Sequence, residues 1–175
     1  NTSFLAWKRG DENSKVLYQF INQDGMVFSD PKLISNNLAL QTAPRVKRNS
    51  LGEVFVNWKD LRDDPIDGDQ YFQKINVSGD QQWGDGIRLD PVSDVDFSAR
   101  FTANTQGGVS VVWERGTFPD VDIFFQNITS EGSYSLASPY AISENEGYQF
   151  SPILSGNEQD GIFAIYADQG SGSID

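Results

Sequence analysis

The chain of 175 residues has no cysteine, no histidine and a single methionine. Without cysteine there can be no disulfides, thiolate metal sites or cysteine nucleophiles, and cysteine usage leaves the compartment open. Without histidine the commonest general base, the usual triad member and the usual zinc ligand are missing together. Long apolar runs are missing as well. None approaches the roughly 20 residues needed to cross a bilayer, so no membrane insertion is expected.

Positive charge is scarce. Thirteen basic residues face 25 acidic ones, for a net charge of −12, which repels phosphate backbones and anionic membrane surfaces and argues against a nucleic-acid partner. The acidic residues are scattered rather than blocked, which reads as a solvated exterior, with calcium binding as the competing role. Asn1 is not an initiator methionine, so the chain reads as an internal piece or processed product, part of a longer chain or larger assembly.

What is present is a repeat. The aromatic that follows each short apolar run is Trp7 in SFLAW, Trp58 in VFVNW, Trp113 in VSVVW and Tyr166 in IFAIY, at intervals of 51, 55 and 53 residues. Other markers keep step. A Gln, then Ile two residues later, then Gly, occurs in QFINQDG (Gln19 to Gly25), QKINVSG (Gln73 to Gly79) and QNITSEG (Gln126 to Gly132). Seventeen residues ahead of the later aromatics stand Gln41, Asp96 and Gln149.

Within each unit the elements are short, rich in β-branched and aromatic residues, and separated by Gly, Asn, Asp and Ser, with no helical apolar period. Four short strands per unit of about 50 residues predict a β-propeller blade, since a strand packed on both faces is apolar almost throughout. The expected fold is all-β, a β-propeller segment of about three four-stranded blades in an incomplete ring. The expected division is a partial blade over 1–40, blades over 41–95 and 96–148, and a partial blade over 149–175. A β-sandwich is the alternative.

The consensus Trp-x-Asp-x-Arg, then Asp-Ile-Tyr-x-Gln-x-Ile, then Gln-x-x-Pro resembles the propeller repeats of large secreted bacterial proteins. Many of these, in Bacteroidota, use the type IX secretion pathway. Trp58, Asp60, Arg62, Asp69, Tyr71 and Gln73 carry the resemblance best, with Tyr166, Asp168, Gly170, Ile174 and Asp175 in the last unit. Arg9 and Lys15 depart from it in the first unit. The resemblance implies an extracellular repeat module, secreted or on the cell surface, and no particular activity.

The candidate sites lie in the loops. Asp60, Asp63, Asp64, Asp67 and Asp69 crowd one stretch, DLRDDPIDGD, as a candidate calcium site, although their spacing is not that of an EF-hand. The bland reading of that stretch is a solvated loop partly neutralised by Arg62. Trp83 in DQQWGDG and Phe118 in RGTFPDVD are candidates for a glycan or protein-partner surface, with packing between blades as the competing reading for Trp83. The recurrent Asp69, Asp122 and Asp175 are read as architectural. No nucleophile motif, phosphate loop or Asp-box stands out, so no catalytic residue is nominated and the segment is not expected to be an enzyme. The sequence-level reading is a non-catalytic interaction or scaffold module, with no cofactor other than the candidate calcium. The alternative is a carbohydrate-binding or glycoside-processing propeller whose active residues lie outside this segment.

Overall fold

The structure is a computed structural model that describes residues 2–27, 30–91, 96–157 and 161–170. Ile174 and Asp175 lie outside the described residues. Among the described residues every regular element is a β-strand, and the chain is all-β, a β-propeller segment built of antiparallel meanders. It divides into two compact units, residues 1–89 and 90–175.

The first unit holds two sheets. Strands β1 (Thr2–Arg9), β2 (Lys15–Asn22) and β3 (Lys32–Leu33) pair antiparallel in chain order. Strands β4 (Gln41–Arg48), β5 (Val54–Asp60), β6 (Asp69–Ile75) and β7 (Ile87–Arg88) form the second sheet, also in chain order. Between them Val16, Tyr18 and Ile34 meet Val54, Val56, Trp58, Tyr71 and Ile75 in one core. Every residue of β6 is buried, and all of β5 except Lys59, which explains why these strands lack the apolar–polar alternation of a sheet with one wet face. Phe55 and Phe72 are fully buried, each burial being worth about 2–3 kcal/mol.

The second unit begins with a similar meander of β8 (Asp96–Ala103), β9 (Val109–Thr117), β10 (Asp120–Ile128) and β11 (Tyr140–Ser143). A long hairpin follows, β12 (Gly147–Asn157) with β13 (Gly161–Gly170). The hairpin is joined to β10 through one parallel pair, Val121 with Tyr148, so this sheet has six strands.

Two local devices recur. Strands β4, β8 and β12 each carry a register shift, at Thr42/Arg45, Phe97/Arg100 and Phe150/Ile153. Each shift contains a non-glycine residue with positive φ: Ala43 at 50°, Ser98 at 52° and Ser151 at 55°. The second device is the turn after the repeated Gln. Asn76 Oδ1 accepts the backbone N–H groups of Ser78 and Asp80, and Asn22 Oδ1 those of Asp24 and Met26. Gly79 and Gly25 close those turns at positive φ, which a side chain would oppose.

The repeated Gln is itself structural. Gln73 Oε1 accepts from the backbone of Lys74 and Trp83 while its Nε2 donates to the Gly84 carbonyl. Gln126 does the same with Asn127 and Leu136. Both side chains are buried, so each amide satisfies backbone groups that would otherwise be stranded away from water.

Candidate functional site

The aspartates of residues 60–69 do not converge. Asp60 ends β5, is fully buried, and accepts from Trp58 Nε1 at 2.9 Å and Gln41 Nε2 at 3.2 Å. It also pairs with the Arg62 guanidinium at 2.6 Å. Asp63 accepts the Tyr71 hydroxyl, and burial together with that carboxylate pushes the phenol above its usual range. Asp64 accepts the backbone N–H groups of Ile66 and Asp67, which hold its carboxyl below the ordinary value. Asp69 pairs with Arg88 at 2.9 Å. Asp67 is exposed.

Arg62 organises this corner. Its guanidinium also donates to Ser35 Oγ and the Asp85 carbonyl and lies 4.1 Å from the Tyr71 ring centre. Four of the five aspartates are thus committed to partners, and no group of three or more acidic side chains able to hold a metal occurs among the described residues. The loop reads as a braced connection.

Trp83 is 4% exposed and tilted against Phe55 at 5.8 Å between ring centres. Its ring fills core space, which corrects its candidacy as a binding platform. The polar neighbours that suggested exposure are the turn through which Gln73 draws the Trp83 backbone inward.

Phe118 is placed differently. It stands 80% exposed in the two-residue connection between β9 and β10. Its ring meets Tyr148 edge-on at 5.8 Å, and Tyr148 stacks on Phe150 at 4.8 Å with planes 12° apart. Beneath lies a cavity of about 300 Å³ lined by Phe97, Glu114, Phe118, Val121 and Tyr148. Glu114 is buried, and its Oε1 accepts the Ser151 backbone N–H at 2.7 Å.

Four strands build this pocket. Phe97 and Glu114 are direct cross-strand partners on β8 and β9, and Tyr148 enters from β12 opposite Val121 of β10. Sequence reasoning singled out Phe118 from its loop but missed Phe97, Glu114, Tyr148 and Phe150. They lie up to 53 residues apart, at positions 97 and 150, and only strand pairing brings them together. Chemically the pocket offers aromatic faces and edges for apolar C–H surfaces and one carboxylate that can accept hydroxyl hydrogen bonds.

A second cavity, of about 290 Å³, lies in the first unit beside Tyr18, Phe20, Lys32 and Gly79. The Tyr18 hydroxyl and Lys32 ammonium both donate to the Gly79 carbonyl there, so its polar groups serve the packing of the two sheets. Among the described residues no helix is long and apolar enough to cross a membrane.

No protein-family model matches the chain. No curated protein sequence matches it either. Its fold does match solved structures. An ulvan lyase of polysaccharide lyase family PL25 aligns over 97% of this chain and 48% of its own, with TM-score 0.63 and 13% identity. An ulvan lyase of the same description bound to -[GlcA(1-4)Rha3S]- gives TM-score 0.64 at the same identity and coverage. An endo-arabinase from Bacteroides thetaiotaomicron aligns over 97% of this chain and 67% of its own, with TM-score 0.54 and 13% identity. The chain spans about half the length of the lyases it matches. These likenesses overturn the sequence-level preference for a non-catalytic scaffold module, because the matching folds are those of a polysaccharide lyase and an endo-arabinase; at 13% identity it is the fold that is shared.

Proposed function

We propose that the chain is part of a carbohydrate-binding β-propeller of a glycan-processing protein, and that the pocket under Phe118 is a sugar subsite. The observation that carries this reading is the exposed Phe118 ring, seated edge-on to Tyr148 above a cavity with a buried carboxylate. Sugars present C–H faces and hydroxyl rims together, and this pocket offers a partner for each.

The chain spans 48% of the lyases' length, and the reading concerns binding. The shared fold with two polysaccharide-degrading enzymes supports a glycan ligand over a protein one. The resemblance to secreted bacterial propeller repeats supports a setting outside the cell.

The test is a glycan array probed with the full chain and with Phe118→Ala. Saturable binding to at least one oligosaccharide, weakened roughly tenfold or more by the substitution, is the expected result. Binding that is indifferent to Phe118→Ala, or no binding at all, overturns the reading.

A further inference from the structure

The charge of the chain is unevenly divided. Residues 1–89 hold 12 acidic against 11 basic residues, a balance of −1, whereas residues 90–175 hold 13 against 2, a balance of −11. Both basic residues of the second unit are engaged inside it. Arg100 donates to the carbonyls of Ser98 and Ala99 at 3.1 and 3.2 Å. Arg115 pairs with buried Asp90 at 3.4 Å and lies 4.6 Å from the Phe124 ring centre.

The cavity beneath Phe118 belongs to this acidic unit. Glu114 is the charged member of its lining, and Asp120 and Asp122 adjoin Val121 along β10 without lining the cavity. The Asp122 carboxyl is pushed above its ordinary value by burial and then by the nearby charges of Asp120 and Glu144. A uronate or sulfated sugar entering here would leave its hydration shell beside a carboxylate, with both arginines of the unit already engaged elsewhere. An uncharged ring loses nothing of the kind. Its C–H surface meets the rings of Phe118 and Tyr148, and a hydroxyl can donate to Glu114, since a carboxylate that accepts one backbone N–H keeps further lone pairs.

We propose that this pocket selects an uncharged sugar residue of a polysaccharide and rejects residues bearing a carboxylate or sulfate. The proposal rests on the glycan-binding reading above and narrows it to a chemical class.

Titration calorimetry at low ionic strength tests it, using the full chain with neutral arabino- and xylo-oligosaccharides and with oligogalacturonate and sulfated oligosaccharides of similar length. The expected result is binding of at least one neutral oligosaccharide, weakened tenfold or more by Phe118→Ala, with the anionic ones at least tenfold weaker than it. Glu114→Gln, which keeps an acceptor for Ser151 but removes the charge, is expected to narrow that gap severalfold. An anionic oligosaccharide that binds as tightly as the neutral ones, and is lost on Phe118→Ala, overturns the charge selection while leaving the glycan site standing. A gap unchanged by Glu114→Gln likewise overturns the selection. If neither class binds, the glycan-binding reading itself falls, and the selection with it. Phe118 lies on the surface, so Phe118→Ala leaves the core intact, and an unchanged thermal midpoint confirms that losses of binding are local.

Discussion

Trp83 and Gln73 are joined by one hydrogen bond, the Trp83 backbone N–H donating to Gln73 Oε1 at 2.8 Å. The same amide accepts from Lys74 N at 3.0 Å and donates to the Gly84 carbonyl at 2.8 Å. A polar side chain inside an apolar strand thus holds the following turn down, and the indole with it.

Gln73→Ala deprives the N–H groups of buried Lys74 and Trp83 of this acceptor. Each orphaned group costs about 1–3 kcal/mol, so the variant is expected to lose about 2–4 kcal/mol of stability. The measurement is urea unfolding, with a lower midpoint at unchanged slope. A loss no larger than that of an ordinary surface substitution would show that water or another group takes over from the amide.

The fold was legible in the sequence because strands such as β5 and β9 are apolar almost throughout and the turns repeat Asn and Gly at fixed offsets. Those signals are local, and their recurrence at intervals of 51, 55 and 53 residues marks the repeat. The site was legible only in Phe118, whose exposure follows from a short connection. Glu114 and Tyr148 carry no local mark, because their meeting depends on β12 joining β10 at a single pair. Trp83 misled for the opposite reason: its neighbours in DQQWGDG are polar, yet Gln73, ten residues earlier, decides its burial. The five aspartates of residues 60–69 misled in the same way, since Asp60 faces Trp58 and Gln41 in the interior while Asp64 faces the backbone of its own turn.

Asp60→Ala tests the interior role of that loop. The carboxylate is fully buried and binds Gln41, Trp58 and Arg62 at once. Its removal leaves the Arg62 guanidinium, only 12% exposed, without its charged partner, and breaking such a buried pair costs about 3–5 kcal/mol. Thermal unfolding is expected to show a large drop in midpoint for Asp60→Ala, with Asp67→Ala close to the parent chain. Equal effects of the two would contradict the division of roles described for them.

Asp122 predicts a pH dependence. Its Oδ1 is buried without a hydrogen-bond partner, and its pKa is raised above the ordinary 3.8 by burial and by Asp120 and Glu144. A carboxyl whose folded value is raised binds its proton more tightly in the folded state. Its favourable contribution is then full below 3.8 and lost as pH rises through the folded value. At neutral pH the ionised group is a net cost, so Asp122→Asn is expected to raise the melting midpoint there. The advantage should shrink as pH falls from the raised value to 3.8 and level off below it. A benefit that persists undiminished in acid would mean that the substitution acts through packing rather than charge.

The left-handed residues of the strand bulges give the last prediction. Ser98 and Ala43 sit at φ 52° and 50°, inside register shifts at equivalent places on β8 and β4. An L-residue there costs about 1–2 kcal/mol against the right-handed region. Glycine removes that cost but adds about 0.5–1 kcal/mol of unfolded-chain entropy. The balance favours glycine by about 0.5–1 kcal/mol at each site, provided the lost side chain makes no compensating contact. Ser98→Gly and Ala43→Gly are therefore expected to raise the urea midpoint, and their effects are expected to add, because they act on separate strands in separate compact units. If both destabilise the chain, the bulges are held by their side chains rather than tolerated by the sheet around them, and the positive φ is a consequence of packing that glycine would loosen.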